Sequence, residues 1–252
     1  MKSVAWIGIL GLAASLAAEA NPRDAKADIK AAAKKIQDAS GYSWTSTPKS
    51  EGGGGGGGQG GRFQPGPTEG KLEKDGFVWI KTTQGDNSTE AVLKGGKVAV
   101  KTADGWKAGS EFQGGQGGGQ QGRRDPAAGL ARRLQNFKAP AIDAEGLVDK
   151  VGDVKDEGEG AFSGALTEDG AKSLMTFGGR GGGGNAPQIT DPKGTVKFWV
   201  KDGALVKYEY NVQGKMTVRD REININRTVT VEFKDVGSTK VEVSEDAKKK
   251  LE

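Results

Sequence analysis

Apolar positions recur along this chain at two periods, and the period changes where glycine accumulates. Asp24 opens a stretch in which Ile29, Ala32, Ala33 and Ile36 share one helical face while Lys26, Lys30, Lys34 and Lys35 lie largely outside it. Gly41 ends that helix, and Tyr42 to Thr47 reads as a strand stopped by Pro48. From Gly70 to Thr83 the period falls to two: Phe77 and Trp79 occupy one face, Val78 and Ile80 the other. Thr89–Leu93 and Lys97–Thr102 follow across Gly95-Gly96, then Asp104-Gly105 turns the chain before Trp106. Links this short join only antiparallel strands, so the region is a meander.

Helical spacing returns at Asp125-Pro126, a cap followed by a proline at the first helical position. Leu130, Leu134 and Phe137 line one face, and Pro140 closes the helix. Asp143 is placed to cap another helix bearing Leu147, Val148 and Val151; a strand over 160–166 follows, then a short helix capped by Thr167 and carrying Leu174 and Met175. Thr195–Lys201 and Ala204–Val212 form a hairpin across Asp202-Gly203, with further strands at Lys215–Asn224, Thr228–Phe233 and Val241–Val243. Ser244 caps a final helix ending in Lys248, Lys249 and Lys250, cations suited to its negative pole. Helix, strands, helices, strands is the order of an α+β fold with a single curved antiparallel sheet covered by helices.

Composition changes this picture in three respects. Of the 43 glycines among 252 residues, nine fall in 52–61, six in 114–122 and six in 178–184, so the rest of the chain has ordinary globular content. The chain contains no Cys and no His, which removes thiolate and imidazole nucleophiles, bases and metal ligands, so neither an enzyme nor a metal or cofactor site is expected. The net charge of +4 is mild and does not predict a nucleic-acid partner. Met1-Lys2, the apolar run Val4–Ala18 and Ala18-Glu19-Ala20 read as an export signal cleaved after Ala20; residues 21–252 then form one domain, soluble in the periplasm or outside the cell.

Two groups of residues carry a family resemblance. One is Gly194-Thr-Val-Lys-Phe-Trp-Val-Lys-Asp-Gly203 followed by Leu205-Val-Lys-Tyr-Glu-Tyr210. The other is Thr228-Val-Thr-Val-Glu-Phe-Lys-Asp-Val-Gly237, then Lys240-Val-Glu-Val-Ser-Glu-Asp246 leading into the last helix. With the opening helix and Tyr42-Ser43-Trp44, this order over 24–252 resembles the periplasmic lipoprotein carriers of the LolA/LolB type and the LppX/LprG-type lipid-binding lipoproteins of mycobacteria. The resemblance implies an unclosed barrel whose hollow accepts acyl chains, without catalysis. The chain departs from those carriers in lacking a lipidated Cys and in its three glycine tracts.

A sheet covered by helices buries one face of each strand, so its large side chains meet either the helices or an empty space. If the helices roof the hollow, Trp79, Leu130, Leu134, Phe137, Phe198 and Tyr208 are the residues expected to line a pocket for a lipid or acylated ligand. If the helices fill it, those residues are core, and the protein is an envelope scaffold acting through its glycine-rich loops. Arg123, Arg124, Arg132 and Arg133 give the middle helix a basic side that suits anionic headgroups of the envelope. Ser46-Thr-Pro-Lys49 has the spacing of a Ser/Lys nucleophile pair but sits at a strand end, away from the helix start where that chemistry works.

Overall fold

The computed structural model describes residues 24–51, 66–74, 76–112, 125–176, 188–218 and 221–252. The stretch expected to be an export signal, Arg123, Arg124 and the three glycine tracts lie outside the described residues. Within them the chain forms five α-helices and one eleven-stranded antiparallel sheet. The first meander holds β1 (Gly41–Ser50), β2 (Thr68–Glu73), β3 (Val78–Gln84), β4 (Asn87–Lys94), β5 (Lys97–Thr102) and β6 (Gly105–Ala108). The second holds β7 (Val151–Gly158), β8 (Ala161–Leu166), β9 (Gln188–Lys201), β10 (Ala204–Val218) and β11 (Arg221–Lys234). β1 pairs with β11, Trp44 opposite Phe233 and Ser46 opposite Val231, so the two meanders meet in mid-sheet and end at free edges β6 and β7. The sheet is therefore unclosed.

The helices are α1 (Ala25–Asp38), α2 (Pro126–Leu134), α3 (Pro140–Val148), α4 (Glu168–Met175) and α5 (Glu245–Lys249). Four begin at side chains legible as caps. Asp24 accepts the amides of Lys26 and Ala27 at 3.1 and 3.3 Å, Asp125 that of Ala127 at 2.9 Å, Thr167 that of Gly170 at 3.0 Å and Ser244 that of Ala247 at 3.3 Å. α3 departs from expectation. Pro140 opens it at the first helical position, with Ala139 as an N-cap lacking a side-chain bond, and Asp143 falls inside the first turn. A proline there gives up an amide that the helix cannot use, so the residue expected to stop α2 starts α3 instead.

Other boundaries moved for similar reasons. β1 runs through Pro48, opposite Val229 of β11; β2 pairs with β1 only as far as Ser46, so the missing amide of Pro48 leaves no partner on that side. The expected strand Lys215–Asn224 is divided, 215–218 completing β10 and 221–224 opening β11, and its two halves pair with each other, Lys215 opposite Asn224 and Val218 opposite Arg221. Val151 leaves the helix and begins β7, whose charged, exposed residues suit a sheet edge. Val241–Val243 is not a strand.

Each face of the sheet has its own core. Tyr42, Trp44, Ile80, Ala91, Leu93, Val98, Val100, Phe162, Val196, Phe198, Tyr208, Val231 and Phe233 share one cluster with residues of α1 to α4. On the opposite face Val92, Ala99, Ala247 and Leu251 pack with Phe77, Trp79, Trp106 and Val243, so α5 covers the back of β3 to β6. Helices thus lie on both sides, but only the first side carries a roof of several helices.

Candidate functional site

Beneath that roof is a cavity of about 740 Å³. Its floor is the middle of the sheet: Trp44 and Ser46 of β1, Thr68 of β2, Tyr208 and Tyr210 of β10, and Val229 and Val231 of β11. Their spacing by two is the strand period, which sends alternate side chains to the roofed face. Roof and lip come from Phe137 and Lys138 beyond α2, from Pro140, Ile142, Gly146 and Leu147 of α3, and from Leu174 of α4. Gly70 opens space for the floor, since a Cβ there would lie 2.0 Å from the Trp44 indole.

An aromatic chain stiffens this floor. Phe137 stacks on Trp44 with ring centres 6.1 Å apart; Trp44 meets Tyr42 at 5.8 Å, Tyr42 meets Phe233 edge-on at 5.6 Å, and Phe233 meets Tyr208 at 6.1 Å. Such pairs contribute about 0.5–1.5 kcal/mol each beyond their burial. α3 is held above by α1, whose Gln37 donates to the Ala141 carbonyl at 3.2 Å and to the Glu145 carboxylate at 2.9 Å. α4 is tied down from the sheet: buried Arg227 of β11 donates to the Leu174 carbonyl at 2.6 Å, satisfying a last-turn acceptor of that helix.

The cavity is apolar in its depth and charged at its lip. Burial holds the Tyr208 hydroxyl well above the ordinary phenol range, and the charge of Asp143 and the neighbouring Tyr210 and Tyr42 push the same way. Burial also raises Tyr210, against the pull of Arg227, and raises Tyr42 to about 12, against the pull of the Ala141 backbone. Burial thus favours the protonated form of these phenols, and two of them, Tyr208 and Tyr210, line the cavity. Asp143 faces the opening while protein crowds around it; that crowding raises its carboxyl, and Lys138 and Lys150 pull it back. Arg133, lowered by burial, and Asn136 complete the lip on the α2 side.

Two of the six residues expected at a pocket are brought together there, Phe137 and Tyr208. Leu130 and Leu134 are buried in the cluster where α2 lies on β4 and β5, and Phe198 is fully buried opposite Tyr208 and Phe162. Trp79 lies on the other face, because Ile80 takes the roofed side and strand alternation sends its neighbour to α5. Tyr210, one of the large strand side chains that a roofed hollow would expose, lines the cavity too, and Trp44, Val229, Val231 and Leu174 do so without having been singled out. The strand alternation of β11, paired with β10, could have found Val229 and Val231 once Tyr208 was set inward.

The chain matches no known family model and no curated protein. Among solved structures it is similar to the Mycobacterium tuberculosis lipoprotein LppX, at 10% identity and a TM-score of 0.48 over 89% of this chain and 100% of that one. It is also similar to LprF from Mycobacterium bovis, at 10% identity and a TM-score of 0.46 over 88% of this chain and 97% of that one.

Proposed function

We propose that the chain is an exported, non-catalytic binding protein that encloses the apolar part of a lipid-like ligand between the sheet and the roof of α2, α3 and α4. The observation that carries this reading is the 740 Å³ space over Trp44, Tyr208, Tyr210, Val229 and Val231, a groove open to solvent on one side that the helices border without filling. Burial of apolar surface drives the binding. At about 0.8 kcal/mol per methylene, a dodecyl tail gains roughly 10 kcal/mol, against an association cost of about 4–15 kcal/mol. A tail alone is then held reversibly, as a carrier or sensor requires. Export rests on the apolar run and cleavage pattern at residues 4–20.

Native mass spectrometry of protein purified from its own envelope, followed by lipid extraction, tests this. The expected result is a copurifying acyl species together with saturable binding of a fluorescent fatty-acid probe. Protein that is empty in the first experiment and ignores the probe in the second overturns the reading.

A further inference from the structure

The lip of the cavity carries a charge asymmetry that an apolar hollow alone does not explain. Arg133, at the end of α2, and Lys138, in the turn leaving it, both line the opening with Asn136 between them. Neither makes an ion pair among the described residues. Of the lining carboxylates, Asp149 pairs with Lys30 of α1, while Glu145 accepts from the neutral Gln37 amide and keeps its charge. Asp143 stands near Lys138 and Lys150. Arg133, Lys138 and Lys150 thus face Asp143 and Glu145, three cations against two carboxylates. Deeper in, the protonated phenols of Tyr208 and Tyr210 add donors. Donors and positive charge thus outnumber acceptors where the apolar floor gives way to solvent.

We infer that the ligand is an anionic amphiphile whose tail lies on the Trp44–Tyr208–Val231 floor and whose head, a carboxylate or a phosphate, is received at the lip by Arg133, Asn136 and Lys138. This rests on the binding reading above and adds the class of head. Guanidinium and ammonium suit oxyanions; both side chains are exposed, so the attraction they add is modest and screened by salt. Asp143 opposes the head, which makes it an element of discrimination: an amphiphile without a negative head gains nothing from the lip.

The test compares pyrene-dodecanoic acid with its methyl ester, which share a tail and differ in charge, on the full chain by fluorescence titration. The acid is expected to bind roughly tenfold tighter, the scale of a few partly exposed charge pairs, and the preference shrinks as salt is raised. Arg133→Gln with Lys138→Gln removes the preference, so the acid binds no tighter than the ester. Lys193→Gln with Lys197→Gln, exposed positions of β9 outside the cavity lining, lowers net charge equally and keeps the preference. Asp143→Asn strengthens acid binding a few-fold. Inorganic phosphate alone, followed by calorimetry, shows no binding.

Equal affinity for acid and ester overturns the head assignment and leaves the hollow as a binder of neutral lipids. Loss of the preference in the β9 control also overturns it, since net charge would then suffice. Phosphate binding that Arg133→Gln abolishes marks a free-oxyanion site instead. Failure of both probes to bind overturns the hollow itself.

Discussion

Gly146 offers the cleanest way to separate a binding cavity from a packing defect. It lies inside α3, faces the cavity, and has nothing within 4 Å of where a Cβ would stand. The Cβ of Gly146→Leu therefore meets no neighbour, and the rest of the side chain extends toward the cavity that Gly146 lines. In a helix interior the change from glycine gains roughly 0.7 kcal/mol, which raises the melting temperature of a chain this size by about 1–3 °C. The same side chain takes the volume of about four ligand methylenes, so a bound tail loses roughly 3 kcal/mol and affinity falls about a hundredfold. Stability and binding then move in opposite directions, which a merely damaged fold cannot produce. Differential scanning fluorimetry and titration with pyrene-dodecanoic acid read the two effects. A raised melting temperature with unchanged affinity would refute the placement of the ligand under α3.

Gly70→Ala makes the opposite kind of change, since its Cβ would fall 2.0 Å from the Trp44 ring that Phe137 and Tyr42 hold in place. Urea unfolding should show a loss of about 1–3 kcal/mol; unchanged stability would mean the ring is not seated there. Arg227→Met removes the donor to the Leu174 carbonyl and should cost about 1–3 kcal/mol, with amide exchange in α4 at least tenfold faster. Exchange at the native rate would show the contact to be incidental. Alkaline stability follows from Tyr42, raised from 10 to about 12. Below pH 10 both folded and unfolded chains keep that proton and stability is level. Between pH 10 and about 12 only the unfolded chain ionises, so stability falls by about 3 kcal/mol from this group, and Tyr208 and Tyr210 act in the same direction. Denaturant titrations of Tyr42→Phe across that range should show a shallower decline, and an identical one would contradict the burial.

The fold was more legible than the site. Helix starts depend on local side chains, so Asp24, Asp125, Thr167 and Ser244 could be read directly, and turns at Gly95-Gly96 and Asp202-Gly203 set antiparallel order. What local pattern does not encode is which face of a strand is roofed. Both faces of β3 are apolar, Val78 and Ile80 toward α1 to α4, Phe77 and Trp79 toward α5, so alternation could not say which side held the hollow. A terminal helix of only five residues decided it by covering the back of the sheet. Leu130 and Leu134 carried the same ambiguity: a helical stripe shows that a face is buried, not whether it meets side chains or space. Trp44 was legible as a strand residue, but its role depends on Gly70 lying opposite it, a pairing made across the meander.

The central claim is that an alkyl tail lies between the roof and the middle of the sheet. A crystal structure of the protein with a fatty acid brominated at its terminal carbon tests this directly, through the anomalous signal of bromine. The account predicts a single bromine site in the hollow, among Phe137, Tyr208, Val229 and Val231. Bromine on the α5 side near Trp79, or a hollow left without signal while the probe binds in solution, would contradict it.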